Sequence, residues 1–108
     1  MPPEEFLVRR AAAYRAYWEN QPLRLPQQPS GPDLRLYRRL QWGRLANFHM
    51  LDTRQYRSDQ ACGDGYKDCP AATDPTRSIM GEEQERWLLD GFRRSRARWD
   101  VLGQQVFF

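Results

Sequence analysis

Two residues whose side chains could take part in chemistry, Asp52 and Arg54, lie just after an apolar stretch at residues 44–51. In open α/β sheets, binding and catalytic groups gather beyond the carboxyl ends of strands. A carboxylate at such a point can orient a metal-bound water, and a guanidinium can hold a phosphate through paired hydrogen bonds. The alternative is a local Asp52–Arg54 ion pair that only closes the strand. The residue types alone leave both interpretations open.

Two cysteines, Cys62 and Cys69, enclose a short polar loop, and their spacing differs from the Cys-x2-Cys pattern of zinc sites. His49, the only histidine of the chain, lies inside the apolar stretch, which favours a buried structural histidine over a catalytic one. A disulfide is favoured if the compartment is oxidising, and so short a loop would gain at most about 2–3 kcal/mol from it. Half a metal site and two free thiols stay open as alternatives.

The composition is that of a small, mildly basic chain. Its 108 residues carry a formal net charge of +3, and all but one of the 17 basic residues are arginine. Four arginines crowd the end of a predicted helix, where cations interact favourably with the helix dipole: Arg93, Arg94, Arg96 and Arg98. They also support an alternative function, a small arginine-rich nucleic-acid-binding or interaction module. The sequence has no apolar run near the roughly 20 residues of a transmembrane helix, and no signal peptide is expected in this segment.

Two helices are predicted. The first, at residues 4–18, follows two prolines and begins with two glutamates, which suit a helix start. Its aromatic stripe is expected to be core and comprises Phe6, Ala13, Tyr14, Tyr17 and Trp18. The second, at residues 81–98, has Gly81 as its cap and Gln84 as a capping-box partner. Its expected buried face comprises Leu88, Gly91, Phe92, Ser95 and Trp99, with Trp87 beside it.

Alternation of apolar and polar residues predicts a β-hairpin at residues 34–51, with a tight turn around Gly43. The return strand is apolar on both faces, which is typical of a sheet covered on both sides. Residues 20–33, with four prolines, are predicted to be an extended connector, and residues 52–80 a long loop. Residues 99–108 are predicted to form a last strand.

The predicted order of helix, β-hairpin, long loop, helix and strand is that of an α/β protein. An isolated hairpin is only marginally stable in water, and such long connectors fit poorly with a compact small domain. The sequence is therefore predicted to be an internal piece of a larger α/β protein, without both flanks.

Three stretches follow one another along the chain between residues 4 and 106: EEFLVRRAAAYRAYWEN, GPDLRLYRRLQWGRLANFHMLDTRQYRSDQACGDG and GEEQERWLLDGFRRSRARWDVLGQQV. Within them, the segment LDTRQYR and the pairing of Q-x-x-W-L with W-x-V-L-x-Q-Q-V are long enough to be specific. Together these stretches resemble the alkaline phosphatase D, or PhoD-like, family of metallophosphoesterases.

The resemblance implies a partial segment of a four-layer α/β/β/α metallophosphatase sandwich and the hydrolysis of phosphate mono- and diesters. It implies iron and calcium at the metal centre of the parent enzyme, a phosphate ester as substrate, and no specific binding of nucleic acid. It also implies export through the twin-arginine route to a secreted, periplasmic or cell-wall location. An exported setting supports a disulfide between Cys62 and Cys69.

The metal ligands of the family are expected outside this chain. The Asp-Asp-His-Glu run and the Gly-Asp-x-His segment of the family do not occur in the sequence. A metal centre needs several converging carboxylates, histidines or thiolates. Residues 1–108 are therefore expected to be the middle of the catalytic domain, to bind no metal and to be inactive alone. Asp52 and Arg54 carry over as candidate groups that contact the phosphate or support the metal ligands.

Overall fold

The computed structural model describes residues 1–63 and 68–105, in two units, Met1–Leu36 and Tyr37–Phe108. Helix α1, Pro3–Asn20, forms most of the first unit, and a proline and two glutamates in its first turn favour its start. The helix ends at Gln21, which is extended because a proline follows it. A short 3-10 turn, Leu25–Gln27, lies in the proline-rich connector. The first predicted helix is confirmed.

The aromatic stripe of α1 does not form a core. The helix has no buried residue, and Phe6 and Tyr17 are 53% and 45% exposed. Apolar side chains occur all around the helix, so no single face can be shielded from water. A unit of about 36 residues is also too small to enclose a helix by itself. The predicted core face of α1 is therefore wrong for the described residues.

The second unit is built on a three-stranded sheet in the order β1-β2-β3. Strands β1, Arg38–Trp42, and β2, Ala46–Met50, are antiparallel, and β3, Trp99–Gly103, lies parallel to β2. Gly43 enters the hairpin turn with a φ of 51°, which a residue with a Cβ adopts at a cost. The predicted hairpin is confirmed, although residues 34–37 lie outside its first strand.

Helix α2, Glu82–Arg94, belongs to the crossover from β2 to the parallel β3. Glutamates in its first turn and arginines in its last turn complement the helix dipole. The helix ends at Arg94 and not at residue 98, because Ser95 is extended and begins the approach to β3. Residues 106–108 of the last predicted strand lie outside the described residues. The predicted α/β order of helix, hairpin, loop, helix and strand is confirmed.

Aromatic packing joins the start of β1 to α2. The side chain of Tyr37 is 4% exposed, and its ring meets those of Trp87 and Tyr56 edge-on, with centroids 5.0 and 5.6 Å apart. Its hydroxyl donates to Glu83 Oε1 at 3.3 Å. Because edge-to-face ring pairs add to the free energy of burial, this cluster fixes α2 over one face of the sheet.

The two faces of the sheet differ in their cover. On one face, the His49 ring packs 4.9 Å from that of Phe92 in α2. We call the opposite side the open face, and the strand register places on it Leu40, Trp42, Ala46, Phe48, Trp99 and Val101. On this face Trp42 and Trp99 are 71% and 62% exposed. Within the described residues of the second unit, the expected cover of β2 is therefore found on one side only.

Candidate functional site

The carboxylate of Asp52 lies just beyond the end of β2 and is turned inward. Its side chain is fully buried. Oδ1 accepts hydrogen bonds from the backbone N–H groups of Arg54 and Gln55, both at 3.0 Å. Oδ2 accepts from Nε2 of Gln55 at 2.6 Å. Because a carboxylate that accepts from the next N–H groups of its own chain stabilises a turn, Asp52 fixes the backbone where the chain leaves the sheet.

The side chain of Arg54 lies at the surface. Its backbone N–H donates to Asp52, and within residues 1–63 and 68–105 its guanidinium has no hydrogen bond or ion pair. The local ion pair between the two side chains, which the sequence left open, is therefore not formed among the described residues. The structure brings the two predicted site residues together through the backbone, with the carboxylate buried and the guanidinium exposed.

Gln84 of α2 holds the backbone of Asp52 on both sides. Its side chain is 1% exposed. Its Oε1 accepts from the Asp52 N–H at 2.7 Å, and its Nε2 donates to the Asp52 carbonyl at 2.7 Å and to that of Met80 at 2.9 Å. The predicted capping box is wrong, because α2 has no side-chain cap and the Gln84 amide is committed to these partners.

A second glutamine, Gln105, holds the next residue of the segment. Its Oε1 accepts from the backbone N–H of Thr53 at 2.8 Å and from the Thr53 hydroxyl at 3.1 Å. Thr53 is 2% exposed. Sequence reasoning missed both glutamines as site residues. The signal for Gln84 is a polar residue one helical turn before Leu88, on the face that α2 buries.

Three charged or polar side chains connect the three strands on the face covered by α2. Arg39 Nε donates to His49 Nδ1 at 2.9 Å, and His49 Nε2 lies 2.8 Å from Asp100 Oδ1. Arginine has only donors, so Nδ1 is the bare nitrogen and Nε2 carries the proton that His49 donates to Asp100. His49 is fully buried, which confirms the predicted burial of this histidine.

The electrostatics of these side chains follow from their hydrogen bonds and burial. The hydrogen bond from His49 holds the pKa of Asp100 below its usual range, and a hydrogen bond from Ser95 and the charge of Arg39 act in the same direction. Burial lowers the pKa of Arg39, against the opposing effect of Asp90 and Asp100. These contacts therefore favour the charged carboxylate form of Asp100.

A disulfide joins Cys62 and Cys69, whose Cα atoms are 6.1 Å apart. The bond closes a segment of the loop that follows Asp52. The disulfide that the family resemblance implied is confirmed.

Within residues 1–63 and 68–105, no three His, Cys, Asp or Glu side chains converge where they could hold a metal ion. The donor set of this part of the chain therefore does not fit a metal centre. In the same residues, neither helix combines the length and the apolar character needed to cross a membrane.

The fold and the site define an α/β structure in which a parallel β-α-β crossover lies beside an exposed arginine at a strand end. The sequence signature of the PhoD-like phosphatases matches residues 1–108, and the chain belongs to this family.

Two relatives illustrate the match. Alkaline phosphatase D of Bacillus subtilis (strain 168) is 52% identical over 106 residues, which are 97% of this chain and 18% of that protein. A solved structure described as "Structure of PhoD" matches with a TM-score of 0.89 and 49% identity, over 99% of this chain and 21% of that chain. The chain therefore spans about a fifth of the length of these relatives.

Proposed function

We propose that this chain is an internal segment of the catalytic domain of a phosphatase that hydrolyses phosphate mono- and diesters. The observation that carries the proposal is the exposed guanidinium of Arg54 at a strand end, in a chain of the PhoD-like phosphatase family. The coverage of the relatives supports a partial chain, because the chain matches only 18% of the Bacillus subtilis protein.

Arg54 is the proposed phosphate contact. A guanidinium binds two phosphate oxygens at once, and its charge stabilises the negative charge that these oxygens carry during transfer. Asp52 is the proposed support of Arg54: its buried carboxylate accepts from the Arg54 N–H and does not face the substrate. The guanidinium is then presented from a fixed backbone, so that less conformational freedom is lost on binding.

The iron and calcium of the family are proposed to be held by residues outside this chain. The described residues do not offer a converging set of ligands. What this segment contributes is a substrate contact and the scaffold that positions it.

The open face is proposed to pack against a second sheet of the same protein, as in a four-layer α/β/β/α sandwich. Exposed tryptophans on a sheet face, Trp42 and Trp99, support this packing, because large apolar patches on monomers mark interfaces. The whole enzyme is proposed to be exported by the twin-arginine route, to which the Cys62–Cys69 disulfide is suited.

The test uses the full gene product that contains this chain, with p-nitrophenyl phosphate and bis-p-nitrophenyl phosphate as substrates. Replacement of Arg54 by Ala is expected to lower kcat/KM by roughly 100-fold or more, and Arg54→Lys by less. Arg96→Ala, an exposed arginine on the same unit, is the matched control. A full product without phosphatase activity would reject the function, and unchanged activity in Arg54→Ala would reject the role of Arg54.

The fragment proposal has its own measurement. The isolated 108-residue chain, supplied with iron and calcium, is expected to hydrolyse neither substrate. Turnover by the isolated chain would show that it carries a complete catalytic set, contrary to the proposal.

A further inference from the structure

Just after β2, the side-chain amide of Gln84 makes two hydrogen bonds to the backbone of one residue, Asp52. Gln84 accepts from the N–H of Asp52 and donates to its carbonyl, both at 2.7 Å. In a sheet, a neighbouring strand makes this pair of contacts, whereas here one amide supplies both. The third hydrogen bond of the amide, to the Met80 carbonyl, ties it to the start of α2.

Both residues of this hydrogen-bonded pair are buried, which raises the free-energy cost of losing either hydrogen bond. Gln84 and Asp52 are 1% and 0% exposed. If one partner is removed, water does not replace it easily, and the other partner is left buried and unsatisfied. The amide therefore constrains the Asp52 backbone more strongly than the same contacts would at the surface.

A chain of contacts leads from α2 to Arg54. Gln84 fixes the backbone of Asp52, and the Asp52 carboxylate accepts the N–H of Arg54 at 3.0 Å. Each of these hydrogen bonds involves a buried group. The last one holds the backbone N–H of Arg54 and so fixes the point from which its side chain extends.

We propose that Gln84 is a positioning residue, which acts through Asp52 to place the Arg54 guanidinium for binding the phosphate of the substrate. The proposal rests on the proposed function for its consequence in catalysis. Its structural part, the control of the Arg54 backbone by Gln84, is tested without any substrate.

The first experiment measures amide hydrogen exchange in the full gene product. Gln84→Met keeps the length of the side chain and removes both the donor and the acceptor. Exchange at the N–H groups of Asp52 and Arg54 is expected to become about tenfold faster, while exchange at Leu88 on the same helix is unchanged. Glu85→Gln, an exposed neighbour on α2, is the control and is expected to leave all three rates unchanged.

The second experiment is a double-mutant cycle on kcat/KM with p-nitrophenyl phosphate. Gln84→Met alone is expected to lower kcat/KM by roughly 10- to 100-fold, because a displaced binding group loses much of its effect. In the Arg54→Ala background the same substitution is expected to change kcat/KM by less than about twofold, because the guanidinium that Gln84 positions is already absent.

The outcomes separate the two proposals. Faster exchange at Arg54 together with a non-additive cycle supports the positioning role. Unchanged exchange at Arg54 overturns it, and so does an equal loss of kcat/KM with and without Arg54, which would indicate general destabilisation. If the wild-type product is inactive, the proposed function fails, and exchange at the Arg54 N–H still decides whether Gln84 fixes that residue.

Discussion

At the scale of single residues, a buried carboxylate that serves its own backbone explains the strand end. Asp52 accepts three hydrogen bonds, two from backbone N–H groups and one from the side chain of Gln55. Hydrogen bonds to a charged acceptor are about twice as strong as neutral ones. The carboxylate is therefore expected to contribute to stability as well as to geometry.

Asp52→Asn replaces one oxygen by an NH2 donor that faces the Nε2 donor of Gln55. The free energy of unfolding of the full gene product is expected to fall by about 1–3 kcal/mol, because a charge-assisted acceptor is lost from a buried site. Denaturant unfolding measures the change. Asp59→Asn, at an exposed position of the same loop, is expected to stay within about 0.5 kcal/mol of wild type. Equal effects of the two substitutions would contradict the assigned role of Asp52.

Asp100 is the residue whose titration the structure predicts. Its pKa is lowered by the hydrogen bond from His49, so its stabilising contribution is present above its unfolded pKa of about 3.9 and is lost as the pH falls through the lower folded value. His49→Phe is expected to raise the pKa of Asp100 toward its ordinary value. Carbon-13 NMR of the side-chain carboxyl measures this pKa, and an unchanged pKa in the variant would contradict the assigned cause.

The sequence identifies which residues belong to the strand end but not how they are oriented. Asp52 and Arg54 stand out because charge follows an apolar run, and a strand pattern places them at the sheet edge. Which of them is buried depends on partners far along the chain, since Gln84 is 32 positions away from Asp52. No local pattern reports a hydrogen bond over that separation.

At the scale of elements, the close contact between α2 and β1 depends on a glycine. A Cβ at Gly91 would overlap the guanidinium of Arg39. That guanidinium lies 4.4 Å from the ring centroid of Trp87, and its Nη2 donates to the Trp87 carbonyl at 3.1 Å. Arg39 therefore fills the space beside α2 that a larger residue at position 91 would need.

Gly91→Ala is expected to have opposite effects in two backgrounds. In the wild type it should lower the free energy of unfolding by about 1–3 kcal/mol, because the methyl group displaces Arg39. In Arg39→Ala the space is open, and the same change should stabilise by about 0.5–1 kcal/mol, since alanine favours the helix over glycine. Denaturant unfolding of the full gene product gives both values, and the same sign in both backgrounds would contradict this packing.

The elements themselves were predicted well, and their ends and environment less well. Both helices and the hairpin follow from periodicity and from charges that suit the helix ends. The second helix stops four residues early because Ser95 must turn toward β3, a tertiary requirement without a strong local signal. The prediction that α1 is buried is wrong. A stripe of aromatic residues indicates which face of a helix can be buried, but not whether another element is present to cover it.

At the scale of the whole molecule, the open face is a surface of the described residues on which apolar side chains lack cover. Large apolar side chains are exposed on it, and the family relatives are about five times longer than this chain. The alternative function, a small arginine-rich nucleic-acid-binding or interaction module, stays a prediction. Nucleic-acid binding would require an affinity that falls steeply as the salt concentration is raised.

Trp42→Glu tests the proposed second sheet. In the full gene product it is expected to lower the free energy of unfolding by about 3 kcal/mol or more, because a charge would be buried against apolar side chains. In the isolated 108-residue chain the same side chain is 71% exposed, and the substitution should raise solubility. A small effect on the full product would show that this face stays open to water. Gln41→Glu, at an exposed neutral residue on the other face of the same strand, controls for the added charge.

The exposed tryptophans of the open face also provide an intrinsic optical signal. Trp42 and Trp99 lie on either side of Ala46 in the strand register and are largely in contact with solvent. Indole emission shifts to shorter wavelength when water is removed from the ring. The emission of these two residues would therefore shift to shorter wavelength, in unlabelled protein, when another surface comes to cover this side of the sheet.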